Sequence, residues 1–251
     1  PGSSLEFMDH REYQPGDDLR RIDWSAYARS DKLTIKLHRE EVSPHCDILI
    51  DGSASMALAE TAKAEATAGL AAAIAMASAN AGYTHGAWLG RDGCEPIVQG
   101  ADRPTAWAGI EFDHAGSLGE AMRRLPPRWR TNGIRILISD LLWPDDPLTT
   151  MMQLREGAAA AFVLQVLAEP DVHPPQRGNV RLYDVETNET HEIFIDATAE
   201  KRYAQALTDH QDAWRRAAQQ AGAVMIPLVA EALLEHWDLT ELVRHELLSI
   251  A

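Results

Sequence analysis

The sequence predicts an α/β fold: an open, mainly parallel sheet with helices on both faces. Short, mostly apolar segments recur at 46–50, 134–139 and 160–167, as expected of strands that are buried on both sides. Segments of helical character separate them, and this alternation is typical of parallel α/β sheets. The chain has 251 residues, 45% of them hydrophobic, which is enough to bury such a core.

The chain is predicted to begin with a charged extension at 1–41. Within it, "YQPGDD" marks a turn, and "DDLRRIDWSAYAR" at 17–29 favours a short helix capped by Asp17 or Asp18. "KLTIKLHRE" at 32–40 alternates apolar and polar residues, which predicts a half-buried strand.

The sheet domain is expected to span 42–251. An alanine-rich helix at 56–80 ends near Gly82, and "THGAWLG" and "CEPIVQG" flank "RDG" in a predicted hairpin at 84–99 that should extend one edge of the sheet. The remaining predicted elements are, in order, helix 117–125, strand 134–140, helix 145–156, strand 160–167, an inserted polar hairpin at about 179–196, helix 198–221, strand 223–229 and helix 231–248.

Composition excludes several classes of function. The formal net charge of −15 argues against a nucleic-acid-binding protein, which normally carries a basic patch. Cys46 and Cys94 form neither a disulfide framework nor a zinc motif, so reduced thiols in the cytoplasm are the expectation. The most apolar run, 66–79, is shorter than the ~20 residues of a membrane-spanning helix and indicates a core helix.

The stretch "CDILIDGSASM" points to a metal site. Asp51, Ser53 and Ser55 follow a buried strand, and they offer only hard oxygen donors, which suit Mg²⁺ or Ca²⁺ better than zinc. Asp140, which ends a second buried strand, could add a carboxylate, and Ser117 could add a hydroxyl.

Each of these residues also has a purely structural interpretation. Ser53 or Ser55 could cap the following helix. Ser117 and Glu120 fit an S-x-x-E capping box. Asp140 could be a turn residue ahead of Pro144. Both interpretations stay open at the level of sequence.

Three stretches of the sequence resemble known families. "DGSAS" resembles the D-x-S-x-S of von Willebrand factor A domains, whose metal-ion-dependent adhesion site binds Mg²⁺ or Mn²⁺. "REYQPGDDLRRIDW", at the start of 11–41, is similar to the R-x-Y-x-P-G-D-D-x-R-x-I-D-W signature of the bacterial "domain of unknown function 58" family, in which it precedes a von Willebrand A-like domain. "DVETNE" near 184–189 also resembles that family.

The resemblance implies metal contacts at Asp51, Ser53 and Ser55. It implies a fourth contact at Ser117, with Asp113 as a nearby candidate, and a fifth at Asp140. The sequence departs from the family pattern at the last two contacts. The fourth is usually a threonine, and the second strand usually ends Thr-Asp-Gly, where this chain has Ser-Asp-Leu at 139–141.

The charged segment 11–41 has two interpretations. Its seven basic and seven acidic residues cancel, so the net charge of the chain lies elsewhere. One interpretation is a charged corner that ties the extension to the sheet, with Trp24 and Tyr27 as packing anchors. The other is a partner-binding surface formed by Asp17, Asp18, Arg20, Arg21 and Asp23.

The resemblance implies a non-enzymatic adaptor that works with a MoxR-type AAA+ ATPase in protein or complex maturation. An enzyme that uses Asp51 as a phosphoacceptor is the rival hypothesis. Hydrolases of the haloacid dehalogenase type need a second aspartate where Ser53 stands, and no G-x-S-x-G motif supports a serine hydrolase. A structural protein with a degenerate metal site is the third.

Overall fold

The computed structural model describes residues 5–15, 17–19, 22–30, 32–40, 44–98, 103–104, 107, 110–173, 177–185 and 189–249. The chain divides into two compact units, Pro1–Ser43 and Pro44–Ala251.

The first unit is built on one pair of strands. Strand β1 (Leu5–Glu12) pairs antiparallel with β2 (Thr34–Glu40), and helix α1 (Trp24–Ser30) lies between them in the chain.

The predicted helix at 17–29 is wrong in its start. Asp17 accepts a hydrogen bond from the backbone N–H of Gln14 at 2.9 Å and closes a turn. Asp23 supplies the cap instead, because its carboxylate accepts the first free N–H groups of α1 at 3.0 and 3.1 Å.

The second unit contains the following elements in chain order: β3 (His45–Asp51), a 3₁₀ helix (Ala54–Ala57), α2 (Lys63–Asn80), β4 (Thr84–Gly90), β5 (Cys94–Val98), α3 (Leu118–Arg124), β6 (Ile134–Ser139), α4 (Pro147–Arg155), β7 (Ala160–Leu167), α5 (Glu169–Val172), β8 (Gly178–Tyr183), β9 (Thr190–Ile195), α6 (Ala197–Ala221), β10 (Val224–Val229), α7 (Ala230–His236) and α8 (Thr240–Arg244).

Six of these strands form one mixed, mainly parallel sheet in the order β10-β7-β6-β3-β4-β5. All neighbours are parallel except β4 and β5, which form the antiparallel hairpin at one edge. The predicted adjacency of the three apolar strands is confirmed, and so is the edge position of the hairpin. Strands β8 and β9 pair with each other in a separate antiparallel hairpin.

Helices cover both faces of the sheet. Ile48 and Ile50 of β3 belong to a core cluster that includes residues of α2, α7 and α8. Leu49, which points to the opposite face, belongs to a second cluster with residues of α3, α4 and α6. The alternation of side chains along a strand therefore explains why β3 is apolar at every one of these positions.

Two long helices that the sequence predicts are broken in the structure. The predicted helix 56–80 is a 3₁₀ turn followed by α2, which begins only at Lys63. The N–H of Ala62, at this start, donates to Glu231 from α7 at 3.0 Å. The predicted helix 231–248 is interrupted at Trp237, whose φ of 48° is left-handed. Long-range contacts decide both breaks, and short α5 was not predicted.

The two cysteines lie inside the second unit, Cys46 on β3 and Cys94 on β5. Both are buried and free. Burial raises the pKa of each thiol to about 12. In the part of the chain that the structure describes, no helix combines the length and apolar character needed to cross a membrane.

Candidate functional site

The predicted metal-site residues meet at one end of the central sheet. Asp51 is the last residue of β3, and Asp140 directly follows the neighbouring parallel strand β6. Parallel neighbours end at the same edge, so both carboxylates reach the crevice beyond the carboxyl ends of the strands. We call the narrow space between them the carboxyl-end recess; it does not admit a water molecule, and it is lined by Asp51, Ser53, Ser55, Gly116, Ser117, Leu118, Asp140, Leu142 and Trp143.

The loop after β3 presents two hydroxyl groups to the recess. Ser53 Oγ and Ser55 Oγ lie 3.0 Å apart, and Ser53 makes no capping hydrogen bond to the helix that follows. The loop is pinned to a second segment, because Ala54 N donates to His114 O at 2.8 Å and His114 N donates to Gly52 O at 3.1 Å. Because Ser53 makes no capping hydrogen bond, the capping role that the sequence left open for it is not seen.

Asp51 is buried, with 1% of its surface exposed. One carboxylate oxygen accepts the Ser139 hydroxyl at 2.5 Å, and the other accepts the backbone N–H of Ser53 at 3.0 Å. Burial raises the pKa of the Asp51 carboxyl to about 6, and the negative charge of Asp140 adds to the shift. A cation in the recess would offset both effects.

Asp140 is the second buried carboxylate of the recess. Its Oδ1 accepts the N–H of Leu142 at 3.0 Å, and its Oδ2 lies 2.7 Å from the ammonium of Lys63. Leu141, which follows Asp140, has a φ of 59°, a left-handed conformation that glycine adopts without strain.

Lys63 is a functional candidate that the sequence analysis missed. It is 1% exposed, and its Nζ contacts Asp140 at 2.7 Å and Asp171 at 3.1 Å. Burial opposes the charge on this ammonium, but the two aspartates outweigh burial and hold its pKa above the ordinary value. One signal was present, since Lys63 is the only lysine or arginine between Cys46 and Gly90.

Ser117 lines the recess and also caps a helix. Its Oγ accepts the N–H of Glu120 at 3.1 Å, as the capping motif predicts, and it donates to Asp145. Asp113, the alternative fourth contact, does not line the recess; it is 54% exposed at its side chain and pairs with Arg91. The recess therefore selects Ser117 over Asp113.

The donor set fits a small, hard divalent cation. Mg²⁺ at about 2.0–2.1 Å from octahedral oxygens requires neighbouring oxygens about 2.8–3.0 Å apart. The Ser53 and Ser55 hydroxyls, which hydrogen-bond to each other, are 3.0 Å apart. No three His, Cys, Asp or Glu side chains within the described residues are grouped to hold a metal. A cation here would thus depend on hydroxyl oxygens together with Asp51 and Asp140.

The predicted partner-binding residues lie in the first unit. Asp17 pairs with Arg11 at 2.8 Å, Asp18 is exposed, and Asp23 is 5% exposed and caps α1. Arg20 and Arg21 lie outside the described residues. Asp23 therefore has a structural role inside the first unit, as the cap of α1.

The aromatic residues of α1 do not have the packing that the sequence predicts. Trp24 is 62% exposed and Tyr27 is 37% exposed. Their rings contact each other edge to face, with centroids 6.2 Å apart. The expected role as packing anchors is wrong, because α1 turns these rings to its exposed face.

The sequence profile described as "Protein of unknown function DUF58" matches residues 9–213. An uncharacterized protein of Mycobacterium bovis is 30% identical over 246 residues, covering 91% of this chain and 75% of the relative. One of Mycobacterium avium is 35% identical over 132 residues, covering 51% and 73%.

Two solved structures resemble the chain at low identity. The conserved hypothetical protein BatB from Bacteroides thetaiotaomicron has a TM-score of 0.41 at 13% identity, over 81% of this chain and 98% of that one. An aerotolerance-related membrane protein from Bacteroides fragilis has a TM-score of 0.43 at 12% identity, over 80% and 99%.

Proposed function

Since the chain belongs to the DUF58 family, we propose that it is a non-enzymatic adaptor: a von Willebrand A-like domain that binds a protein partner through a divalent metal in the carboxyl-end recess. The observation that carries the proposal is that two carboxylates and two serine hydroxyls converge in one recess. The hydroxyls of Ser53 and Ser55 lie 3.0 Å apart. We propose Mg²⁺ or Mn²⁺ as the metal.

Asp51, Ser53, Ser55, Ser117 and Asp140 would hold the cation. When bound, it would supply an electrophilic coordination position that an Asp or Glu of the partner can complete. Because Ser53, Ser55 and Ser117 are neutral, only the two aspartates balance the charge of the metal. This keeps the site receptive to a further carboxylate.

The burial of Asp51 supports a binding module over the rival phosphoacceptor. A phosphoryl group has to reach the carboxylate from solvent, whereas Asp51 is 1% exposed and both of its oxygens accept hydrogen bonds from within the protein. The recess does not admit a water molecule, so it has no space for a phosphorylated substrate.

We propose a MoxR-type AAA+ ATPase, or its client, as the partner, in the cytoplasm. The resemblance of the signature in 11–41 suggests this ATPase. The exposed Trp24 and Tyr27 of α1 add physical support, because exposed aromatic side chains are frequent energetic centres of protein interfaces. We propose that Asp17, Asp18, Arg20 and Arg21 contribute the charged rim of this surface.

Calorimetric titration of the full chain with Mg²⁺ and Mn²⁺ tests the metal. The wild type should bind one ion, Asp51→Ala should abolish binding, and Asp113→Ala should leave it unchanged, because Asp113 lies outside the recess. Equal heats for wild type and Asp51→Ala would exclude the site and leave the degenerate scaffold.

Co-purification with the ATPase tests the partner. Association should weaken with a chelator and with Asp51→Ala, and moderate salt should weaken it further, because rim charges are screened over ~8–10 Å. Trp24→Ala should weaken association without changing metal affinity. Undiminished association with both the chelator and Asp51→Ala would contradict the role of the metal.

A further inference from the structure

Lys63 places a permanent positive charge beside the proposed metal site. It is the first residue of α2, and its side chain is buried. An ammonium is disfavoured at a helix N-terminus, where the helix dipole is positive, and burial disfavours it further. Asp140 at 2.7 Å and Asp171 at 3.1 Å offset both costs.

We infer that Lys63 regulates the metal affinity of the recess, by competing with the divalent cation for Asp140 and moving toward Asp171 when a metal binds. This inference rests on the proposed function, which supplies the metal. It assigns Asp171 a role as the alternative partner of the ammonium.

Asp140 is the point of competition because its two oxygens are already engaged. Oδ1 accepts a hydrogen bond from the backbone N–H of Leu142, and Oδ2 accepts one from the ammonium of Lys63. A cation that takes Asp140 has to replace the ammonium or lie close to it. Two positive charges that share one buried carboxylate repel each other strongly, because few water molecules screen them.

Asp171 is suited to receive the displaced ammonium. It lies on α5 and does not line the recess, so it is no ligand of the proposed metal. Its carboxylate is 13% exposed, accepts the N–H of Ala168 at 2.8 Å and already contacts Lys63 at 3.1 Å. Lys63 can therefore give up Asp140 by a small movement of Nζ, and the ammonium stays paired throughout.

Charges near the recess agree with this arrangement. Asp140 and Asp171 contact the ammonium, and Asp51 is a third carboxylate, close enough to Asp140 to feel its charge. Glu231, whose carboxylate accepts the N–H groups of Ala62 and Glu169, adds a fourth, and Lys63 helps to lower its pKa. The cluster keeps an excess of negative charge with Lys63 in place. This excess can balance a divalent cation while the ammonium stays in the cluster.

Two variants of α5 provide the first test. Asp171→Asn removes the alternative partner and should confine the ammonium to Asp140. We expect Mg²⁺ and Mn²⁺ affinity, measured by calorimetry, to fall about tenfold. Glu169→Gln removes one negative charge from the same helix but does not contact Lys63, so affinity should stay within about twofold of the wild type. Equal effects of both substitutions would overturn the inference.

The second test removes the ammonium. The double variant Lys63→Met, Asp171→Asn removes the ammonium together with the charge of Asp171, so no unpaired carboxylate is left at position 171. Asp140 is then free of the ammonium. This chain should bind Mn²⁺ at least about tenfold more tightly than Asp171→Asn alone, and its thermal denaturation should show a larger upward shift with added metal. If the combined variant does not fold, the two α5 variants decide alone.

The outcomes separate the inference from the proposed function. Metal binding by the wild type with no gain in the double variant would overturn the role of Lys63 and leave the metal site standing. Binding by the double variant alone would support Lys63 and refute a metal in the wild-type adaptor. Binding by neither chain would overturn both.

Discussion

Strand β3 carries two buried aspartates, one near each end, and the protein treats them differently. Asp47 and Asp51 are each 1% exposed. Asp47 accepts hydrogen bonds from Trp88 Nε1 at 3.3 Å and from the backbone N–H of Arg130 at 3.0 Å, and it lies 3.1 Å from His45 Nε2. One carboxylate with three nitrogen partners forms a closed network.

The other end of β3 is not closed in this way. Asp51 has two donors and faces a second buried carboxylate, Asp140, whose one cationic partner is Lys63. The lesson of the comparison is that burial alone does not indicate function. An excess of buried negative charge over nearby cations is a better indicator of function. It is costly in the metal-free protein, and the cost is relieved when a cation binds.

The largest expected effect comes from Lys63→Met. Removing one member of a buried ion pair leaves Asp140 unpaired and should lower the free energy of unfolding by about 3–5 kcal/mol. Arg123→Met is the matched control: Arg123 pairs with Asp145 at 2.9 Å but is 47% exposed, so its loss should cost only about 0–1 kcal/mol. Denaturant unfolding measures both, and similar losses would contradict the assigned role of Lys63.

Asp51→Asn should stabilise the metal-free protein at neutral pH. The folded pKa of Asp51, about 6, lies above the unfolded value. The native state therefore binds more protons between these values, so stability falls as pH rises from about 4 to about 6 and is level above that. Removing the charge should return about 3 kcal/mol, less about 1 kcal/mol for one weakened hydrogen bond.

The measurement is unfolding in a chelator at pH 8 and at pH 4. The gain should be about 1–2 kcal/mol at pH 8 and change to a loss of about 0–1 kcal/mol at pH 4, where the folded carboxyl is protonated, the unfolded one is about half protonated, and the weakened hydrogen bond remains. Asp47→Asn, the same chemical change on the same strand, should instead cost about 1–3 kcal/mol, because its nitrogen partners lose an acceptor. The same sign for both substitutions at pH 8 would remove the contrast between the two ends.

Ser117→Ala should have the smallest effect. It removes the cap of α3, where Ser117 Oγ accepts Glu120 N, and should cost about 1 kcal/mol. Its metal affinity decides how far the recess relies on this hydroxyl. A loss of affinity would assign Ser117 to the metal, whereas unchanged affinity would confine it to capping.

Much of the sheet and the location of the recess could be predicted from local sequence. The apolar runs at β3, β6 and β7 are long enough to identify buried strands, and parallel pairing then brings Asp51 and Asp140 to one edge. The contacts of Lys63 could not be predicted in this way, because its partner Asp140 is 77 residues away in the chain. Helix breaks were missed for the same reason: Trp237 lies against Gly69 of α2, a contact that periodicity does not encode.

The two buried cysteines can report on local opening of the sheet. A thiol with a pKa of about 12, inside the core, reacts with an alkylating reagent only when the structure around it opens. Cys94 lies on the edge strand β5 and Cys46 on β3 in the middle of the sheet. Their labelling rates therefore report separately on partial fraying of the edge hairpin and on opening of the central strand.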